Sequence, residues 1–241
     1  MTLTLQIFVL TILHICVLST SQNDSDGICG GSQECSDRCH KINKMFIREN
    51  GKSHWSARYP SIASALQEYG VKESIEIGIA RGGLSYYLLG SIGELDVHHG
   101  IDSFSGSNRI LSNSKRSASV EWAGAVLYHL RDFGCRFRLH KGFSAQMVTR
   151  FPVESVDCVI FDADHSYEGL TIDIAHYAPL VRKGGLLIFD DYDDKDFHGV
   201  KRAVDELAKI NELSIRRLND EGNVMIVKPA GRPLNTTLGS P

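Results

Sequence analysis

The sequence has 241 residues, of which 42% are hydrophobic and 23% are charged, with 22 Gly and only 6 Pro, and its formal net charge is -3. These values are ordinary for a globular protein of one α/β domain and exclude a disordered, collagen-like or multi-pass membrane chain. Acidic and basic residues are interspersed, so no large cationic field would hold a phosphate backbone; nucleic acid is not an expected partner, and small molecules or glycans are favoured.

The amino-terminal segment carries an uncharged apolar run, Ile7 to Leu18, followed by small polar residues. The run is shorter than the roughly 20 apolar residues that cross a bilayer. We therefore predict a signal peptide over residues 1–21, no stable membrane span after its removal, and localisation in the secretory pathway lumen or outside the cell. An uncleaved anchor is the alternative. Sequons at Asn23 and Asn235 would be open to N-glycosylation in that pathway.

Residues 22–58 form a polar leader that contains cysteines. Without the signal peptide the chain keeps an odd number of cysteines, namely Cys29, Cys35, Cys39, Cys135 and Cys158. In an oxidising compartment one thiol is then free or paired between chains, and a homodimer is among the expected states. A local disulfide is expected among the first three cysteines, with zinc ligation together with His40 as the alternative. Cys158 lies in an apolar run and is expected to be an inert core residue.

Beyond the leader, short apolar runs alternate with longer amphipathic stretches, which is typical of a parallel sheet covered on both faces. We predict strands at Ser74–Ile77, Val97–Ile101, Arg136–His140, Val156–Phe161, Leu186–Phe189, Ser214–Leu218 and Asn223–Val227. We predict helices at Ser61–Tyr69, Gly83–Gly90, Ala118–Asp132, Tyr167–Leu180 and Val200–Ile210. The domain is expected to span 59–229, with a polar tail at 230–241.

Two connections carry information about topology. Lys183-Gly184-Gly185 is expected to end the fourth helix and turn the chain into the fifth strand. Residues 219–222 join the last two strands as a hairpin, so one of these strands runs antiparallel to its neighbour. A polar segment, Asp102 to Ser119, breaks the alternation. It is expected to be either a lid at the carboxyl ends of the strands, where such sheets bind ligands, or a solvated loop with no role.

The most informative motif is EIGIARGG at 76–83, in which a strand runs into a glycine-rich turn and a helix. Gly78 and Gly82 would let the backbone pass close to a ligand, and the helix N-terminus offers free N–H donors. A carboxylate at Glu76 would repel a pyrophosphate but attract the cationic sulfonium and ammonium groups of S-adenosylmethionine. Asp102 follows the second strand, where a carboxylate can accept both ribose hydroxyls; capping a helix or turn is its alternative role.

These motifs resemble the class I S-adenosylmethionine-dependent methyltransferases, and within them the methyltransferase domain 24 family. The resemblance covers about residues 59–228 and includes the runs DCVIFDADHSYEG (157–169), PLVRKGGLLIFDDY (179–192) and GVKRAVDEL (199–207). It implies a doubly wound, Rossmann-like α/β fold with a seven-stranded sheet in the order 3-2-1-4-5-7-6 and strand 7 antiparallel. It also implies that the cofactor is bound by Glu76, Gly78, Gly82, Asp102, Ser144 and Asp162. Phe143 departs from the family, which often has an acidic residue there.

A second group of candidate residues is acidic. Asp162 and Asp164 end the predicted fourth strand, and Asp190 and Asp191 end the fifth. Clustered carboxylates repel one another, and a hard divalent cation would relieve that repulsion. The pattern resembles catechol-, caffeoyl- and macrolide-sugar O-methyltransferases, which implies that Asp162, Asp190 and Asp191 bind Mg²⁺ or another divalent cation. Helix capping or cofactor contact without a metal is the alternative.

The predicted activity is transfer of a methyl group from S-adenosylmethionine to a hydroxyl of a small molecule or sugar by in-line displacement. Asp164 or His165 would take the proton. In the alternative, His165 is a loop residue and Tyr167 packs against a helix. The His98-His99 pair is expected to be structural or solvated.

Two other functions compete with this prediction. An NAD-dependent oxidoreductase is disfavoured by Glu76 and by the lack of a Tyr-x3-Lys pair. The second rival is a catalytically silent secreted domain that binds a glycan or protein through the inherited cleft.

Overall fold

The computed structural model of the chain describes residues 55–105 and 116–239. Several predicted features therefore lie outside the described residues: the signal peptide, the leader up to residue 54 with its three cysteines, Asn23, and residues 106–115 of the predicted loop. Of that loop, residues 116–119 belong to a helix.

Six α-helices and seven strands lie within the described ranges. The helices are α1 (Trp55–Glu68), α2 (Gly83–Ser91), α3 (Arg116–Leu130), α4 (Ser144–Met147), α5 (Tyr167–Tyr177) and α6 (His198–Ile210). The strands are β1 (Glu73–Ile77), β2 (Val97–Asp102), β3 (Phe137–Lys141), β4 (Val156–Phe161), β5 (Val181–Phe189), β6 (Arg216–Arg217) and β7 (Val224–Val227). Short 3-10 turns lie at Arg131–Arg136, Val148–Arg150 and Ala178–Leu180.

The seven strands form one sheet in the order β3-β2-β1-β4-β5-β7-β6. Strands β1 to β5 are parallel, and β7 runs antiparallel to both β5 and β6. This arrangement confirms the predicted fold class, the strand order and the antiparallel strand 7.

Helices cover both faces of the sheet, and the alternation of side chains along β4 shows how. Val159 and Phe161 belong to the core that packs against α5 and α6. Cys158 and Ile160 point to the other face, into the core shared with α1, α2 and α3. Each such fully buried aliphatic side chain contributes roughly 1.5–3 kcal/mol relative to an exposed one. The two cores hold the central strands rigidly, so the residues at their carboxyl ends are well positioned.

The connection from α5 to β5 differs from the prediction. The α-helix ends at Tyr177, and a 3-10 turn containing Pro179 follows it. Proline has no N–H to continue the helix, so the chain leaves it before the predicted Lys183-Gly184-Gly185 stop. Those three residues lie within β5, next to a register shift against β4, and Gly184 has φ +78°. They therefore form a bulge in the strand, which a left-handed glycine accommodates.

Two other elements differ clearly in length from the prediction. Helix α1 begins by Trp55, earlier than the predicted Ser61, and contains Pro60. Strand β6 contains only Arg216 and Arg217 of the predicted Ser214–Leu218. The earlier start of α1 matters for function, because it brings residues before 59 into the folded domain.

Lys228 lies just after β7 and is only 5% exposed. Its ammonium group donates to the carbonyl oxygens of Ala178, Pro179 and Val181 at 3.3, 3.3 and 2.6 Å. A helix end leaves carbonyl groups without partners, and Lys228 supplies donors for them. The strand and the α5–β5 connection are thereby joined.

The predicted polar tail lies against the domain over its described part. The side-chain amide of Asn211, at the end of α6, donates to the carbonyl of Asn235 at 2.8 Å, and the backbone N–H of Asn235 donates back to Asn211 Oδ1 at 2.8 Å. Leu234 and Leu238 pack against the core on the α5 and α6 side.

The two cysteines in the described part of the chain differ in state. Cys158 is a free, fully buried thiol, and burial raises its pKa, which confirms the predicted inert core residue. Cys135 is disulfide-bonded. Among the helices of the described ranges, none is long and apolar enough to cross a bilayer.

Candidate active site

The predicted site residues lie at the carboxyl edge of the sheet, where β1, β4 and β5 end. The backbone N–H groups of Gly78, Asp162 and Asp190 donate to carbonyls of the neighbouring strands at 2.8, 2.9 and 3.2 Å. The hydrogen-bonded ladder thus continues one residue past each strand, and it places these three residues side by side.

The structure confirms a glycine-rich turn after β1. At both of its predicted glycines, the atoms that leave little room for a side chain are atoms of the protein itself. Gly78 has φ +89°, and a Cβ atom there would lie 2.6 Å from the carbonyl carbon of Asp162 and 2.7 Å from the Cα of Ala163. Gly82 has φ +77°, and a Cβ atom there would lie 3.0 Å from a methyl carbon of Leu130. Each glycine therefore permits close packing inside the domain, and contact with a cofactor stays a prediction.

Glu76 is 1% exposed, and two partners hold its carboxylate. It accepts a hydrogen bond from the hydroxyl of Ser85 at 2.6 Å and one from Nε2 of His98 at 3.0 Å. His98 is fully buried and also contacts the hydroxyl of Ser74 through Nδ1 at 2.8 Å, which confirms its predicted structural role. The carboxylate of Glu76 links β1 to α2 and β2, and its predicted attraction for the cofactor is untested.

Asp102, at the end of β2, holds the backbone of the glycine-rich turn. Its carboxylate accepts from the N–H of Ala80 at 2.9 Å and from the N–H of Phe104 at 2.6 Å. Both donors have a positive φ, +47° and +51°, which non-glycine residues seldom adopt. Burial raises the pKa of Asp102 despite these bonds. A carboxylate has about four acceptor positions, so the turn-capping role leaves positions for a ribose.

Ser144 begins α4, and its hydroxyl donates to Asp173 in α5 at 2.6 Å. Burial raises the pKa of Asp173 to about 6. The carbonyl of Ser144 accepts from the hydroxyl of Tyr177 at 2.7 Å. Phe143, beside it, is 59% exposed. Ser144 is thus tied to α5, and the structure leaves its predicted contact with adenine as a prediction.

The three predicted metal ligands come together at the ends of β4 and β5. One ligand atom from each of Asp162, Asp190 and Asp191, and one from His165, all lie within 4.8 Å of one another. We call these four residues the acid cluster. Asp191 has φ +56°, a conformation that aspartate tolerates better than most residues, and Asn223 donates to Asp190 at 2.6 Å.

Arg58, in the first turns of α1, lies on the acid cluster. Its guanidinium group is paired with Asp162 at 2.5 Å and also with Asp190. The sequence analysis missed this residue because Arg58 is 104 positions from Asp162 and no local motif marks it. Oxygen and imidazole donors suit a divalent cation chemically. However, two of the three carboxylates already hold Arg58, so the cluster as arranged does not fit a metal ion.

Charge interactions shift the acidities of the acid cluster. Burial acts to raise the pKa of Asp162, but Arg58 and His165 outweigh it and lower that pKa. Burial and the neighbouring carboxylate of Asp162 raise the pKa of Asp190. Burial acts to lower the pKa of His165, but Asp162 and Asp191 outweigh it and raise it to about 10. The imidazole therefore carries a proton at neutral pH in this arrangement.

The two predicted proton acceptors occupy different places. His165 lies within the acid cluster, with Nε2 3.1 Å from Asp191 and its ring stacked on Phe197. Asp164 is exposed and is not one of the four clustered residues; its carboxylate accepts from the N–H of Ser166 at 2.9 Å, at the start of α5.

Packing against a helix was the alternative role considered for Tyr167, and its side chain contacts α6. Its hydroxyl donates to Glu206, and the guanidinium of Arg202 lies 3.8 Å from the centre of its ring. Gly199, in the first turn of α6, lies against the backbone of residues 165–167, where a Cβ atom would be 2.7 Å from the carbonyl oxygen of His165. The loop that carries His165 is thus packed directly on α6.

Several solved structures with a similar fold are described as methyltransferases. An O-methyltransferase of Bacillus cereus in complex with SAH has a TM-score of 0.57 and 15% identity, over 87% of this chain and 97% of that one. A methyltransferase of Geobacter sulfurreducens gives 0.57 and 13%, over 84% and 93%. The O-methyltransferase TomG of Streptomyces achromogenes, in complex with SAM, gives 0.53 and 14%, over 83% and 91%. The TM-scores show similarity of fold, and at these low identities they show nothing further.

The sequence itself was compared with curated proteins and with protein families. No curated protein gives a significant match. Residues 75–192 match a family described as a methyltransferase domain, and this range contains the glycine-rich turn, Asp102 and the whole acid cluster. Residues 75–192 therefore resemble a methyltransferase domain in sequence, and the strand order of the sheet agrees with that match.

Proposed function

We propose that the protein transfers a methyl group from S-adenosylmethionine to an oxygen atom of a small-molecule or glycan acceptor. The observation that carries the proposal is Asp102, whose carboxylate holds the glycine-rich turn through Ala80 and keeps acceptor positions for a ribose. Two neighbours of similar fold are described as O-methyltransferases in complex with SAH or SAM, and a third is described as a methyltransferase. These descriptions support the choice of reaction.

The arrangement of the site supports direct transfer of the methyl group from the cofactor to an acceptor bound beside it. Gly78 lies against the backbone of Asp162, so a cofactor at the turn after β1 would border the acid cluster at the end of β4. The acceptor oxygen forms a bond to the methyl carbon while the carbon–sulfur bond breaks, and the sulfonium becomes a neutral thioether. Positioning is the main task of the protein, because the sulfonium is already a good leaving group.

The acceptor hydroxyl also loses a proton. We propose that the exposed carboxylate of Asp164 receives it, either directly or through water. His165, held by Asp162 and Asp191, would orient the acceptor. We assign no step to a divalent cation, since Arg58 is paired with two of the carboxylates that were predicted to bind it.

Calorimetric titration of S-adenosylmethionine and S-adenosylhomocysteine into the full chain tests the proposal. We expect both compounds to bind one site per chain, with and without Mg²⁺, and NAD to give no heat. Failure of both compounds to bind would favour the catalytically silent binding domain over the enzyme.

We further propose that the protein resides in the secretory pathway lumen or outside the cell, where the cofactor would have to be imported. The disulfide at Cys135 supports an oxidising compartment, and the exposed side chain of Asn235 supports use of its sequon. A homodimer stays a prediction, which light scattering of the purified protein can test.

A further inference from the structure

The acid cluster contains three carboxylates, and one of them is almost completely removed from water. Asp190 is 2% exposed, whereas the side chains of Asp162 and Asp191 are 20% and 26% exposed. A buried carboxylate beside another carboxylate is unfavourable unless one of them binds a proton or a cation neutralises the pair. A positive charge between Asp162 and Asp190 would therefore stabilise the ionised pair, and the structure places one there.

Arg58 supplies that charge from a helix that the family match does not include. Its side chain is 22% exposed, and one guanidinium nitrogen, Nη2, pairs with both Asp162 and Asp190. Helix α1 is anchored independently of this contact, because Ile62 and Leu66 are fully buried in the core with α2 and α3. Arg58 is thus held in place by its helix as well as by the carboxylates.

We propose that Arg58 is the resident cation of the acid cluster, a positioning residue that does the electrostatic work of a divalent ion and makes the site independent of one. Its effect on methyl transfer rests on the proposed function, whereas the competition between Arg58 and a metal ion does not. A divalent ion could reach Asp162 and Asp190 only by displacing the guanidinium.

The competition can be measured by titrating Mn²⁺ into the full chain and following free Mn²⁺ by electron paramagnetic resonance. The variants are Arg58→Gln, which removes the charge, and Arg58→Lys, which keeps the charge on a shorter side chain. Arg216→Gln is the control, because Arg216 pairs with Glu68 at the other end of the same helix.

We expect wild type and Arg216→Gln to bind Mn²⁺ equally weakly. Arg58→Gln should bind it about tenfold more tightly or better, because the positive charge among the donor atoms is gone, and Arg58→Lys should show a smaller increase. Mg²⁺ should raise the melting temperature of Arg58→Gln alone. Equal Mn²⁺ affinity in wild type and Arg58→Gln would overturn the proposal. If Arg58→Gln does not fold, the wild type decides, and Mn²⁺ that binds to it tightly and is displaced by Mg²⁺ is the contrary result.

Discussion

The close approach of the glycine-rich turn to the end of β4 can be tested by Gly78→Ala. Two costs add at this position. A residue with a side chain is strained at φ +89°, in the left-handed region, and this strain lowers the free energy of unfolding by roughly 1–2 kcal/mol. The new Cβ atom would also lie 2.6 Å from the carbonyl carbon of Asp162, so backbone must move by nearly 1 Å, and such overpacking costs about 1–3 kcal/mol. We therefore expect a loss of about 2–5 kcal/mol in the free energy of unfolding.

Gly184→Ala separates the two costs. Gly184 also has a positive φ, +78°, but a Cβ atom there would meet nothing within 4 Å. This variant should lose only about 1–2 kcal/mol. Urea unfolding of both variants gives the comparison, and calorimetry with S-adenosylhomocysteine should show weaker binding for Gly78→Ala alone. If the two variants were destabilised equally, the inferred contact between the turn and Asp162 would be wrong.

Three further predictions concern other parts of the domain. Asp102→Ala should weaken binding of S-adenosylhomocysteine by about 1–3 kcal/mol in calorimetry, because hydrogen bonds to the ribose and the support of Ala80 are both lost; unchanged affinity would contradict the assignment. The pKa of Asp173 is about 6 in the folded protein against 3.8 ordinarily, so the folded state binds more protons and wild-type stability should fall as pH rises from about 4 to 6 and then level off. The stability of Asp173→Asn should lack this pH dependence, and its free energy of unfolding in urea should rise relative to wild type by up to about 2–3 kcal/mol across that pH range. Parallel pH dependences of the two free energies would refute the effect of burial on Asp173. In eukaryotic cells, Asn235→Gln should remove a glycosidase-sensitive shift in gel mobility, and a wild-type protein without such a shift would count against the secretory assignment.

The sheet was largely predictable because its signals are local or periodic. Apolar runs located the five parallel strands, and residues 219–222 alone indicated the antiparallel pair. The carboxyl ends of β4 and β5 were predicted to meet, and Phe161 pairs with Phe189 one residue before Asp162 and Asp190. Where strands are neighbours, residues that follow them must be neighbours too, so the acid cluster followed from the strand order, which the resemblance to the methyltransferases implied.

The parts that could not be predicted depend on contacts between distant segments. No pattern near Arg58 indicates that its guanidinium lies between two aspartates of other strands. The partners of Glu76 come from α2 and β2, so its charge alone did not show that Ser85 and His98 already hold it. Gly184 could not be assigned from the sequence for a similar reason, because a glycine there is compatible with both a helix end and a strand bulge. The helix ends earlier, at the turn that contains Pro179, and Gly184 therefore lies in the strand bulge.

The insertion of β7 between β5 and β6 has a consequence for how the protein is made. Until residues 224–227 have been synthesised, the outer edge of β5 has no antiparallel partner. The strand that precedes Asp190 and Asp191 is thus incomplete in its pairing until the end of synthesis. An unpaired apolar strand edge is a site for aggregation during folding. Nascent chains that stop short of β7 should therefore depend on chaperones, and nonsense mutations late in the coding sequence should yield insoluble protein with an incomplete sheet.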